Sequence, residues 1–283
     1  MDIVDNLMYI IESPYRSFSE KAMYKIYKYI KQNTNITVLL NGEGSDEIFS
    51  GYNEHYNLFL LSLLLQGRFS KFKKEMKAIL KRTGQSKKNL YRGIAIAFLD
   101  YKKLLNFVRI FKKDKFFKKN YLSVKPVFSN NPFRNSIILN RKYSALPEYL
   151  KYADKISMYF SLEVRVPFLD YRLVEKADQL KDDKLIKNGV TKYILREAMK
   201  GIVPRSVYER KDKKGFFTPF ELWIKNDIGK VIEKEILEIK EKGLFSFINS
   251  DEIYYYYKNN GVDTKIWRIY CLSRWKKIWK VAN

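Results

Sequence analysis

Apolar residues recur three or four positions apart along most of the chain, with lysines on the opposite faces, and this period predicts a mainly helical protein. In KAMYKIYKYI the pattern begins just after Ser17 and Glu20, the spacing of a capping box. Further helices are predicted near 54–66, 69–82, 89–112, 142–162, 171–180, 191–201, 219–241 and 262–280. ITVLL (36–40) breaks the period, being apolar throughout and mostly β-branched or aliphatic. It predicts a strand buried on both faces, of the kind found inside parallel sheets. No other segment reads clearly as a strand, yet such a strand needs neighbours for its backbone groups. VKPVFSNNPFRNS (124–136) follows neither period and predicts a loop or linker. The elements suggest three segments: 1–66, an α/β remnant; 67–140, helical with a linker; and 141–283, helical.

With 283 residues, 46% hydrophobic, the chain can bury a substantial core in one or two domains. The single cysteine, Cys271, excludes an intramolecular disulfide and suits a reducing compartment. Asp2 and Asp5 stand where a secretory signal carries positive charge, and LFLLSLLL (58–65) is too short to cross a bilayer. A soluble, cytoplasmic protein with no membrane partner is expected. The net charge of +24 raises nucleic acid as a partner. Because the lysines are scattered over amphipathic stretches such as KKEMKAILKR (73–82), nucleic acid is not expected to be the principal one.

Against that basic background, LLNGEGSDEIFSGY (39–52) places Glu43, Asp46 and Glu47 in a stretch with no Lys or Arg between Lys31 and Arg68. The loop leaves the carboxyl end of the predicted strand, the edge at which open α/β sheets bind ligands. Gly42 and Gly44 permit close backbone approaches, and Ser45 or Asp46 could cap a helix beginning at Glu47, turning its amides toward an anion. Carboxylate oxygens beside a bound phosphate suit magnesium. The same residues also satisfy a plainer reading, a turn in which Asp46 caps the helix and Glu47 complements its dipole. His55 is expected to be exposed or half-buried and not catalytic, and with one His and one Cys the chain offers no zinc site and no Cys/His nucleophile pair.

Four blocks resemble, in order, the synthetase domain of glutamine-dependent asparagine synthetases. LLNGEGSDEIFSGY is similar to that family's G-E/D-G-A/S-D-E-x-F-x-G-Y signature, and YLKYADKISMYFSLEVRVPFLDYRLVEKA (149–177) to its D-x-x-S-M-x-x-S-L-E-x-R-V-P-F-L-D motif. TKYILREAMKGIVPRSV (191–207) and RKDKKGFFTPFELW (210–223) complete the set, whereas 67–140 matches no motif. The resemblance implies an α/β fold of the adenine nucleotide alpha hydrolase type, of which this chain carries a predominantly helical part with one clear strand. It also implies amide formation: ATP activates a carboxylate, aspartate by default, as an acyl-adenylate with loss of pyrophosphate, and ammonia from glutamine displaces AMP.

On this resemblance Asp46 would hold the magnesium bound to pyrophosphate, and Glu43 would face the acyl-adenylate and the incoming ammonia. Gly42, Gly44 and Ser45 would line the nucleotide. Lys192 matches the family's active-site lysine; it follows Gly189 and Thr191 at the start of a helix striped by Ile194, Leu195, Ala198 and Ile202, where a cation is unfavourable unless an anion binds there. Arg196, one turn on, would support the same anion. Asp154 falls at a family position near the reaction site. Glu163, Arg165 and Asp170 are expected to form a structural salt-bridge network, and Gly215 and Phe216 to serve packing and turn formation.

The family's S-G-G-x-D-S phosphate loop and its glutaminase domain, which begins with a cysteine directly after the initiator Met, have no counterpart here. The expectation is therefore a carboxyl-terminal portion, inactive without an N-terminal polypeptide that supplies the phosphate loop and the rest of the sheet. The alternatives are a noncatalytic basic interaction or nucleic-acid-binding protein and an inactive gene fragment.

Overall fold

A computed structural model describes residues 3–282 except 18, 106–109, 113, 114, 117–120, 124–128, 212, 214, 216, 217, 220, 221, 223 and 225–227. The order is α1 (Ile3–Ile11), α2 (Ser19–Asn33), β1 (Val38–Leu40), α3 (Ser45–Phe49), α4 (Glu54–Leu65), α5 (Phe69–Thr83), α6 (Lys87–Leu105), β2 (Ile110–Lys112), β3 (Tyr121–Ser123), α7 (Pro132–Tyr143) and α8 (Ala145–Tyr159). There follow β4 (Glu163–Arg165), α9 (Tyr171–Gln179), α10 (Asp182–Leu185), α11 (Tyr193–Ala198), α12 (Arg205–Tyr208), α13 (Gly229–Lys242), α14 (Ser250–Asn260) and α15 (Thr264–Ile278).

Most predicted helices are present, and the differences have local causes. The predicted 142–162 helix is two helices parted at Ser144, whose φ of −117° and ψ of −124° are not helical. The predicted linker ends early: Pro132 opens α7, and Asn131 Oδ1 accepts from the amides of Phe133 and Arg134. The 89–112 prediction covers α6 and then β2, which pairs antiparallel with β3. At α2 the Ser17 hydroxyl accepts from the Ser19 amide and lies 3.0 Å from Glu20 Oε2, so Ser17 and Glu20 do meet at the helix start.

Strand β1 forms where ITVLL predicts it, but its setting differs from the expectation. It pairs in parallel with β4, in the register Val38↔Glu163, Leu39↔Val164 and Leu40↔Arg165. Instead of being covered on both faces, Ile36, Val38 and Leu40 are 48%, 40% and 75% exposed, and only Leu39 packs inward. The partner strand was not expected, since its three residues, Glu-Val-Arg, read as alternating charge. The expected Glu163–Arg165–Asp170 network is likewise two separate exposed pairs, Arg165 with Glu163 and Arg172 with Asp170, each at 2.7 Å.

Two apolar cores flank this strand pair. One joins α1, α8, α13 and α15 through Leu7, Met8, Ile11, Ile156, Ile236 and Trp267. The other joins α3 to α7 through Ile48, Phe59, Leu60, Ile79 and Phe133. The first core thus draws on both the first and the last of the three expected segments. Leu39 and Val164 pack on the first core, whereas Ile48, Phe49, Phe168 and Leu169 belong to the second. The acidic loop is the crossing between the two. Among the described residues no helix is long and apolar enough to cross a membrane.

Candidate active site

Backbone geometry shapes the loop before any side chain acts. The Asn41 amide donates to Arg165 O at 2.8 Å, extending the strand pairing by one residue, and Asn41 Oδ1 accepts from the Glu43 amide. Gly44 is left-handed, with φ 88°, and a Cβ there would lie 2.4 Å from Leu169 Cδ2. Gly44 also takes the N-cap position of α3 with no side-chain cap, so neither Ser45 nor Asp46 caps this helix, contrary to the sequence reading. The chain leaves α3 through Ser50, itself left-handed at φ 66°, and the Gly51 amide donates to Asp46 O. Gly42 meets nothing within 4 Å; its open side faces no part of the described chain.

Freed from capping, the Asp46 carboxylate bridges two lysines. Oδ1 lies 2.9 Å from Lys192 Nζ, and Oδ2 lies 2.5 Å from Lys213 Nζ. Ser45 Oγ also accepts from Lys192 Nζ at 2.9 Å. Burial alone would raise the Asp46 carboxyl; the Lys192 charge and hydrogen bonds from both lysines outweigh it and hold the group below the usual carboxylate range. Glu43 goes the other way. Burial pushes its carboxyl up against a hydrogen bond from Asn41, with the nearby Glu47 charge adding to the rise, and its Oε2 is buried without a partner. Two carboxyl groups three residues apart are thus driven to opposite protonation preferences, the usual basis for divided acid and base roles. Glu47 is buried and accepts from the Tyr52 hydroxyl, whose ring supports Lys213 at 4.8 Å.

Lys192 is held from a distance. It has φ 52° and directly precedes α11, as the sequence predicts. The loop before it is anchored by Glu75 on α5, a buried carboxylate that accepts from the Asn188 and Gly189 amides at 3.0 Å each. Tyr56 donates to Gly189 O, and a Cβ at Gly189 would lie 2.7 Å from the Ala78 backbone. Segment 67–140, which carries no recognisable motif, therefore positions the lysine.

The remaining candidates lie apart from this group. Arg196 donates to the carbonyls of Thr191 and Tyr208 at 3.1 and 2.6 Å, so it ties α11 to the loop before it and to α12. Asp154 is exposed on α8, where its backbone carbonyl accepts from Ser157 Oγ. His55 is fully buried, correcting the expectation of an exposed ring; it meets Tyr52 and Phe133 edge-on, and burial pulls its pKa down to about 3, so it is neutral. Gly215 is exposed, and Phe216 lies outside the described residues. Sequence reasoning missed Gly51, Glu75 and Lys213. Gly51 had a signal, its place in the signature; Lys213 is one among 55 basic residues.

Among the described residues no group of three or more His, Cys, Asp or Glu could cage a metal. Both Asp46 oxygens lie on lysines here, so Asp46 would fit magnesium only as a minor share of its shell, with phosphate or water supplying the other ligands.

A parallel strand that ends in a glycine-spaced acidic loop, at a crossing between helical layers, is the ligand-binding edge of an α/β nucleotide-type domain. The asparagine synthase family model matches residues 1–276, and the chain belongs to that family, whose domain has the adenine nucleotide alpha hydrolase-like fold. Asparagine synthetase (glutamine-hydrolyzing) 1 of Bacillus subtilis (strain 168) is 28% identical over 98% of this chain and 46% of its own length. Asparagine synthetase (glutamine-hydrolyzing) 3 of the same organism is 45% identical over 58 residues, 20% of this chain and 9% of its own. The chain spans less than half the length of these relatives.

Proposed function

We propose that this chain is the carboxyl-terminal portion of an asparagine synthetase-like enzyme that forms an amide by ATP-dependent adenylation of a carboxylate, aspartate by default. The observation that carries the reading is the opposed pair in one loop: Glu43 pushed toward its protonated form, with an unpartnered oxygen, and Asp46 held ionised between Lys192 and Lys213. Lys192 and Ser45 bind phosphate oxygens of ATP, and Asp46 would hold a magnesium ion, which would supply charge neutralisation for the departing pyrophosphate. Glu43 orients ammonia as it attacks the activated carboxyl and AMP leaves, and the raised pKa makes its ionised form the stronger base to take the ammonium proton. Gly42 leaves its open side to the nucleotide. Arg196 and Asp154 support the site from outside this group.

A second polypeptide segment with the S-G-G-x-D-S loop, and a glutaminase as the ammonia source, completes the cytoplasmic enzyme. One fact supports that partner: the apolar stretch through β1 leaves Ile36, Val38 and Leu40 uncovered. The test is co-expression with a polypeptide bearing that loop, followed by measurement of aspartate-dependent pyrophosphate release. Release that needs both polypeptides and is lost in Asp46→Asn supports the reading; no release with any carboxylate, despite a stable complex, overturns it.

A further inference from the structure

Three well-covered arginines of this chain rest on carboxylates: Arg134 on Asp182, Arg141 on Asp178 and Arg274 on Asp5, at 2.5–2.7 Å. Arg82 and Arg196, also partly buried, do not. Arg82, near the end of α5, donates from Nη2 to Arg210 O at 3.0 Å, and its Nε is buried without an acceptor. Arg196 on α11 donates to the carbonyls of Thr191 and Tyr208. Among the described residues the acceptors of both guanidiniums are neutral. The two charges are also close to each other. They clasp the carbonyls of Arg210 and Tyr208 in one short segment and flank buried Tyr56, whose hydroxyl pKa is raised by burial against the charges of both arginines. Burial, and next the Arg82 charge, hold the Arg196 guanidinium below its usual pKa. Tyr56 donates to Gly189 O, and Arg196 Nε to Thr191 O, so the pair lies at the base of the loop that carries Lys192. Two like charges drawn partly out of water, one with an unmet buried donor, lack the counter-charge that such groups ordinarily have. A planar fork of N–H donors suits a tetrahedral oxyanion.

We propose that Arg82 and Arg196 form an anion site of their own between α5 and α11, which takes the phosphate group of free phosphate or of a small phosphomonoester. Arg82 Nε donates to one of its oxygens, and Arg196 shares its charge. The bound oxyanion replaces repulsion between the guanidiniums with attraction to both, and it braces the Gly189 and Thr191 carbonyls that precede Lys192. The inference does not depend on the reading of the acidic loop as a nucleotide site.

The test is isothermal titration of the full chain, without magnesium, with inorganic phosphate and separately with glycerol 3-phosphate, comparing wild type, Arg82→Gln and Lys192→Gln. Arg82→Gln should weaken binding of both titrants about tenfold, and Lys192→Gln should leave it unchanged. Tighter binding of the ester than of phosphate identifies a phosphorylated small molecule as the ligand; equal binding identifies the free ion. Alongside, modification of arginines by phenylglyoxal in the wild-type chain is followed by mass spectrometry, which requires no variant to fold. Phosphate should slow modification of Arg82 and Arg196 but not of Arg205, which is 85% exposed and paired with Glu209. Unslowed modification of Arg82 overturns the proposal, as does wild-type chain that binds neither titrant. Weakening by Lys192→Gln with Arg82→Gln unchanged also overturns it, and would place the phosphate at the acidic loop and leave the nucleotide reading standing.

Discussion

Gly51→Ala tests whether the Asp46 cluster is built as tightly as it looks. A Cβ at this position would stand 1.6 Å from Asp46 Oδ1, 2.6 Å from Asp46 Cγ and 2.4 Å from Lys192 Cε. Because Cγ as well as Oδ1 overlaps, a small terminal rotation is not enough; the whole carboxylate must swing off its present rotamer and leave at least one lysine. The groups are only 21–30% exposed, so water recovers part of the lost interaction. With charge-assisted contacts at about 1.5–3 kcal/mol each and an off-rotamer cost below that, the expected destabilisation is about 2–4 kcal/mol. Gly42→Ala is the matched control, since that position has no neighbour within 4 Å and is not left-handed. It should change stability by no more than about 0.5 kcal/mol. Urea unfolding of both variants beside wild type reads the difference. Equal stabilities would refute the claim that the missing side chain makes room for the ion pairs.

Three further outcomes are expected. Glu75→Ala leaves the buried Gly189 amide and the part-buried Asn188 amide without an acceptor and should cost about 2–4 kcal/mol; hydrogen exchange at Asn188 and Gly189 should quicken, and unchanged exchange would free Lys192 from this anchor. His55 and Glu20 should oppose each other with pH. Between about 3 and 6.5 the unfolded chain binds a proton at His55 that the folded chain refuses, so stability falls by roughly 2 kcal/mol from pH 7 to pH 5. Burial raises Glu20 to about 7, so the folded chain keeps a proton that the unfolded chain loses above 4.5; this stability is full below 4.5 and fades by a similar amount as pH rises to 7. Denaturant titrations should therefore show a steeper rise in stability from pH 5 to 7 in Glu20→Gln and a shallower or inverted one in His55→Asn; identical slopes in all three proteins would refute the assignment. Leu40→Asp, at an exposed strand position, should leave the chain's own stability within about 0.5 kcal/mol while weakening capture of the loop-bearing polypeptide, and undiminished capture would remove β1 from that interface.

The parts legible in the sequence are those in which a short-range rule agrees with the tertiary outcome. The sequence located α4, α5 and α9 to within a residue or so; α5 and α9 turn one stripe inward and solvate the other, whereas α4 is apolar and buried along most of its length. Strand, acidic loop and helix were readable in order for the same reason. What was not readable depends on residues far apart in the chain. Glu75 sits in a run of lysines and looks like one charge of a solvated face; only the loop at 188–189, more than a hundred residues on, makes it a buried acceptor. His55 follows a glycine-rich turn that suggests exposure, and it is covered by Phe133 from α7. Asp46 illustrates the limit best: spacing alone leaves a helix cap and a cation site equally open, whereas Lys192 and Lys213 draw its carboxylate away from the helix end, which Gly44 then serves without a side chain.

The exposed strand shows how far the sequence's demand for a buried setting can be met by pairing alone. Full burial of a side chain such as Val, Leu or Ile is worth about 1.5–3 kcal/mol. The uncovered fractions of Ile36, Val38 and Leu40 together amount to between one and two whole side chains. Covering them therefore yields about 2–5 kcal/mol, which lies near the free energy of a millimolar complex, before the cost of association is subtracted. Strand addition at β1 cannot by itself hold a second polypeptide. A stable complement must also cover neighbouring helix surface, and α2, which leads directly into β1, exposes Ile26 and Tyr29 at 44% and 66%. In the proposed complex the apolar edge would specify register, the helix would supply area, and the acidic loop at the strand's end would come to the same interface, where a phosphate-binding segment from the partner would meet Asp46.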